Sequence, residues 1–202
     1  MTTACSSTVP FDGAYRVLME AVVFAVHDSG FVARSALELD DASQPRIQKI
    51  YEIILASRFG IHDLSRTELD PDLKLPRFNM PLELGIFLGI KRAWRGRQKA
   101  KRCLILDIER YRYQAFCSDI AGQDIRAHEG SPEIAVKIVR NWLRNQTQGS
   151  GSIFPGAVRM QERFRTFVEA LPAMCRLVHL ERDDLIFNDY TTLVVQWLKE
   201  NP

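Results

Sequence analysis

Two carboxylates stand where an α/β chain does chemistry. Asp63 closes an apolar run, FGIHDL at residues 59–64, and Glu83 lies in the segment NMPLELG at 79–85. A carboxylate held ionised beside a sugar ring can attack an anomeric carbon and form a covalent glycosyl intermediate. Pro81 near a helix start, with Asn79 as N-cap, puts Glu83 in the first turn, where the helix dipole favours ionisation. The plainer account of Glu83 is a surface residue matched to that dipole, but its apolar neighbours Leu82 and Leu84 count against a merely solvated face. Asp63 is suited to holding ribose hydroxyls or protonating a leaving base, and equally suited to an N-cap or Asx turn. Ser6, Ser7 and Thr8, with Asp12 beyond them, offer hydroxyls and backbone N–H groups to a phosphate, or simply form a polar strand end. Ser65, Arg66 and Asn79 flank the two carboxylates and complete the candidate binding residues. Asp40 and Asp41 suit the turn before a helix better than a ligand, and His62 suits a buried strand face better than catalysis.

These residues need elements to hold them, and the hydropathy pattern alternates accordingly. Tyr15, Leu18, Val22 and Ala25 recur at helical spacing, predicting a helix over 14–28 that Gly30 stops. Short strands are expected at 4–9, 31–37, 59–64 and 124–127. Ile47, Ile50 and Ile54 give a helix over 45–58, and Leu82, Ile86 and Ile90 give another. Residues 103–108 are continuously apolar, as in a central parallel strand buried on both faces. Ile134, Ile138 and Trp142 define a helix ending near residue 144. This order predicts a parallel sheet with helices on both faces, at whose carboxyl edge ligands bind. Residues 146–156 read as a linker by composition. The expected division is an α/β nucleotide-binding domain over 1–145 and a small helical C-terminal extension over 157–202. The extension's apolar positions, Phe164, Phe167, Leu171, Val194 and Trp197, predict that it docks on the main domain or on a second subunit.

Composition narrows the classes. The 202 residues carry 27 Lys and Arg against 25 Asp and Glu, a net charge of +2 that gives no general attraction to nucleic acid. No signal peptide or membrane span is read, so the expected location is cytoplasmic, with no membrane partner. The four cysteines form no CxxC pair, which argues for reduced thiols and against a zinc site. No metal and no cofactor are expected. Walker A, G-x-G-x-x-G, H-E-x-x-H and G-x-S-x-G motifs are absent. The sharpest charge feature is KRAWRGRQKAKR at 91–102, with seven basic residues and Trp94. Cations suit a helix C-terminus, so the reading favours a solvated helix end, and nucleic acid is not the expected partner.

HDLSR at 62–66, an intervening polar loop and FNMPLELGIFLG at 78–89 together resemble the core of the nucleoside 2-deoxyribosyltransferase-like superfamily. The pattern is also similar to bacterial nucleotide-binding proteins with TIR-like domains. The resemblance implies a flavodoxin-like three-layer sandwich with a parallel sheet. It implies Glu83 of the Glu-Leu-Gly segment as glycosyl nucleophile, Asp63 as the acidic residue ending the third strand, and the loop from Ser6 to Asp12 facing the sugar or 5′-phosphate. The expected function is N-glycoside processing, by hydrolysis or transfer, on a nucleoside, nucleotide or NAD-like substrate. The alternative is a catalytically silent, TIR-like nucleotide-sensing module, and a nucleic-acid-associated protein ranks third. The sequence leaves a homo-oligomer open.

Overall fold

The computed structural model describes residues 15–67, 69, 72, 74–76, 78–147 and 154–202, together with the backbone of residues 4–8. Five parallel strands form one sheet in the order β2-β1-β3-β4-β5. Three longer strands make its centre: β1 (Ala4–Thr8), β3 (Phe59–Asp63) and β4 (Arg102–Asp107). The edges are β2 (Val32–Arg34) and β5 (Arg126–Ala127), shorter than the pattern suggested. At β2 the reason is Ser35. Its hydroxyl accepts from the Leu37 N–H at 3.3 Å and starts a 3-10 turn over Ala36–Glu38, so the strand ends.

Six α-helices among the described residues surround the sheet: α1 (Arg16–Asp28), α2 (Arg46–Ala56), α3 (Asn79–Ala93), α4 (Pro132–Gln146), α5 (Ala157–Leu177) and α6 (Phe187–Glu200). The pleat of β3 divides them. Phe59 and Ile61 join the core built from α1 and α4, while Gly60 and His62 meet Phe87 of α3 on the other face. A Cβ at Gly60 would stand 2.7 Å from the Phe87 ring, so the glycine is what lets α3 lie this close to the sheet. On β4, Leu104 and Leu106 face the α1 side, while Ile105 packs with Met80 and Leu84 of α3. Helix α2 packs beside α3 through Ile50 and Ile54 against Phe87 and Ile90. Lys101 fastens the other end of α2. Its buried ammonium donates to the Ile54 and Ser57 carbonyls, and Gln98 donates to Leu55 O, satisfying the orphan carbonyls of the helix end.

From Leu18 to Val26 helix α1 is shielded from solvent on every side. One flank meets the sheet and α4, and the other is covered by α5 and α6. Phe24 is the centre of that contact, with ring centroids 5.4 Å from Phe164, 5.4 Å from Phe167 and 5.9 Å from Trp197. Phe164, Phe167, Leu171, Val194 and Trp197 are all buried there. Buried ion pairs fix the docking. Glu20 takes Arg16 at 2.9 Å and Arg182 at 2.5 Å, and Asp28 takes Arg163 at 3.1 Å. Phe154, inside the segment read as linker, packs against Phe31 at 6.0 Å and is itself buried. No helix among the described residues is long and apolar enough to cross a membrane.

Candidate active site

The carboxyl ends of the strands converge on a buried polar cluster. Asp63 ends β3 and is 1% exposed. Its Oδ1 accepts from the Ser65 N–H at 2.8 Å, and its Oδ2 accepts from the Tyr15 hydroxyl. His128, just beyond β5, brings Nε2 to 3.1 Å from the same Oδ2, at ion-pair distance but without the alignment of a good hydrogen bond. The other ring nitrogen, Nδ1, accepts from the Gly130 N–H at 3.0 Å. In a neutral ring that bond places the proton on Nε2, the nitrogen on the Asp63 side. Burial opposes ionisation of Asp63, but the interactions with His128, Tyr15 and Ser65 outweigh it and hold the carboxyl below its usual range. Burial, reinforced by the Asp63 charge, pushes the Tyr15 hydroxyl well up, so it stays a donor.

Asp107 ends β4 as Asp63 ends β3, and it is fully buried. Its Oδ1 accepts from Ile108 N–H at 2.7 Å and from Arg112 Nε and Nη2 at 2.8 and 2.6 Å. The same guanidinium reaches Leu64 O at 2.6 Å and Thr67 Oγ1 at 3.1 Å, tying the chain after β3 to the end of β4. Tyr111 holds a left-handed backbone (φ 66°), at a cost of about 1–3 kcal/mol for a bulky residue, and that turn folds Arg112 back onto Asp107. Burial raises the Asp107 pKa, with the Asp63 charge adding to it and Arg112 opposing. Asp107 Oδ2 is buried with no donor among the described residues.

Glu83 is 4% exposed, and α3 begins earlier than the sequence implied. The helix starts at Asn79 with Phe78 at the cap position, and no side chain caps it. Asn79 is therefore the first helical residue rather than the N-cap, and Glu83 is the fifth, in the second turn. Two successive αR residues, Phe78 and Asn79, extend the helix back beyond Pro81. The dipole thus helps Glu83 less than expected. Burial pushes its pKa up to about 7, and Arg46 at the start of α2, 3.9 Å away, only partly offsets this. The turn before α2 uses Asp41, which accepts from Ser43 N–H at 2.9 Å. His62 lies edge-on to Phe87 at 5.1 Å, with its pKa lowered to about 3 by burial.

Three other candidates fall on the same edge. Ser65 and Arg66 follow β3 directly, Ser65 buried and Arg66 half-buried, while Asn79 is exposed at the start of α3. Ser6, Ser7 and Thr8 lie on β1, with Thr8 in register with His62, but their side chains lie outside the described residues, as does all of Asp12. Asp63 and Glu83 share this edge and make no hydrogen bond or ion pair with each other. The pleat turns Asp63 toward α1 and α4, whereas Glu83 faces α2. Among the described residues, no group of three or more His, Cys, Asp or Glu could hold a metal ion. A groove of about 760 Å³ runs elsewhere, between β5 and α4, lined by Leu104, Arg126, Ile138 and Trp142 but not by Asp63, Glu83 or Asp107.

The sequence pattern does not single out Tyr15, Asp107, Arg112 or His128 as site residues. One signal is present in it: LILD in β4 ends in an aspartate just as GIHD in β3 does. Comparison with protein-family models, with curated proteins and with solved structures returns no match.

Proposed function

We propose that this chain is an N-glycoside-processing enzyme of flavodoxin-like layout, acting on a nucleoside, nucleotide or NAD-like substrate. The observation that carries the reading is Glu83. It is a buried carboxylate at the carboxyl edge of a sheet ordered 2-1-3-4-5, with a pKa of about 7 and, among the described residues, one arginine at 3.9 Å. Ionised Glu83 would attack C1′ as the bond to the base nitrogen breaks, and the bonding electrons leave with the base. Water or a second base then takes the sugar from the glycosyl ester. Asp63 contributes a fixed negative charge and anchors the chain after β3, because its oxygens are engaged by Tyr15, Ser65 and His128. Asp107 Oδ2, buried with no donor among the described residues, has capacity left to accept from a hydroxyl.

The test is base release, followed by chromatography over a panel of nucleosides, nucleotides and NAD. Glu83→Gln keeps size and most hydrogen bonding, and base release should fall by orders of magnitude while ligand binding survives. Equal activity in the two proteins removes Glu83 from the mechanism. A second reading, a silent nucleotide sensor, is favoured by the closed Tyr15–Asp63–His128 set and by the depth of Glu83. Nucleotide binding without base release in either protein would establish it.

A further inference from the structure

The edge opposite the candidate site carries the basic run, and the helix dipole explains little of it. Lys91 and Arg92 lie in the last turn of α3, and Lys101 is spent inside on the end of α2. Arg95, Arg97, Lys99 and Arg102 remain, all exposed, and Arg58 joins them because its carbonyl pairs with the Arg102 N–H at the start of β3 and β4. No acidic residue occurs between Glu83 and Asp107 in the sequence. Among the described residues none of these exposed cations, Arg92 included, sits in an ion pair. Trp94 stands among them with 49% of its surface exposed. The chain as a whole is nearly neutral, so this edge concentrates positive charge that the rest of the molecule counterbalances.

Guanidinium groups without a carboxylate partner around an exposed indole are complementary to a chain of phosphates bearing stackable rings. An anionic membrane would use the same charges but needs an apolar face to insert, and here Trp94 is the one large apolar side chain exposed between residues 91 and 102. We propose that this amino-terminal edge of the sheet binds single-stranded nucleic acid, with the arginines on phosphates and Trp94 stacked on a base. The surface is separate from the Glu83 site and does not depend on the function proposed there.

The experiment is fluorescence anisotropy of the full chain with a labelled oligonucleotide of about 12 nucleotides, titrated from about 50 to 200 mM salt. About five phosphate contacts should give a log–log salt slope of roughly −3 to −4. Arg95→Ala, Arg97→Ala and Lys99→Ala together alter only exposed side chains, at the cap and within the 3-10 turn Gly96–Ala100. With an unchanged melting curve, they should weaken binding at least tenfold and flatten the slope by about 2. Trp94→Ala should weaken binding to the single strand but not to a duplex of the same length. The proposal is overturned by no binding at about 50 mM salt, by a triple variant that binds like the wild type, or by Trp94→Ala leaving single-strand affinity unchanged. Binding to phosphatidylserine vesicles without binding to the oligonucleotide would overturn it in favour of a membrane.

Discussion

Glu83 is the residue whose protonation the fold perturbs most usefully. Its folded pKa of about 7 lies above the ordinary value of 4.5, so between these two pH values the folded chain holds more proton than the unfolded one. Stability therefore declines as pH rises from about 4.5 to about 7 and levels off above that. A tenfold change in proton affinity is worth roughly 1.4 kcal/mol, which makes the loss on the order of 3 kcal/mol. Glu83→Gln cannot ionise and escapes this loss. Melting curves at pH 5 and pH 8 should show the variant gaining on the wild type at the higher pH by a few kcal/mol. A difference between the two proteins that is the same at both pH values would mean that Glu83 is not strained by burial. Asp63 behaves in the opposite sense, because its lowered pKa contributes stability that is present above its unfolded value and lost as pH falls through the folded one. Wild-type stability is thus eroded from the acid side by Asp63 and toward neutrality by Glu83.

At the scale of elements, α3 shows how packing and propensity pull apart. Gly60→Ala should destabilise by about 1–3 kcal/mol, since the new methyl meets the Phe87 ring at 2.7 Å and His62 Nε2 at 2.8 Å across a filled interface. Gly89→Ala, in the exposed interior of α3 where an added Cβ meets nothing within 4 Å, should stabilise by about 0.5–1 kcal/mol. Thermal melts should move in opposite directions, and a loss of stability from Gly89→Ala would show that α3 is not an open helix face there. The elements themselves were legible because apolar spacing repeats within each one, and α1 through α4 and the central strands fall where the pattern puts them. What the pattern misjudged was local competition: the Ser35 turn that cuts β2 short, and the extra helical residues ahead of Pro81. The partners of Asp63 were illegible for another reason. Tyr15 is 48 residues away in sequence and His128 lies on the far side of β4, so only strand order brings them together.

At the scale of the whole molecule, α5 and α6 belong to the same core as the sheet. A helix apolar on all sides must be covered on all sides, and residues 18–26 of α1, LMEAVVFAV, include one charged residue, Glu20, which the two arginines pair. The spacing Tyr15, Leu18, Val22, Ala25 describes one buried stripe of α1, yet Val23, Phe24 and Val26 lie off that stripe and are equally buried. Those residues call for a covering layer, and α5 and α6 supply it. Burying a phenylalanine fully is worth about 1.5–3 kcal/mol, and Phe24, Phe164 and Phe167 share one interface with Trp197. Ending the chain near residue 150 removes that interface and leaves Glu20 without Arg182 and Asp28 without Arg163. The expected losses are comparable with the roughly 5–15 kcal/mol that holds an ordinary domain folded. The truncated chain should therefore be insoluble, or should lack a cooperative melt and bind a dye that reports exposed apolar surface. A truncated chain that melts as the full one does and stays monomeric would show that the sheet and its four helices stand alone.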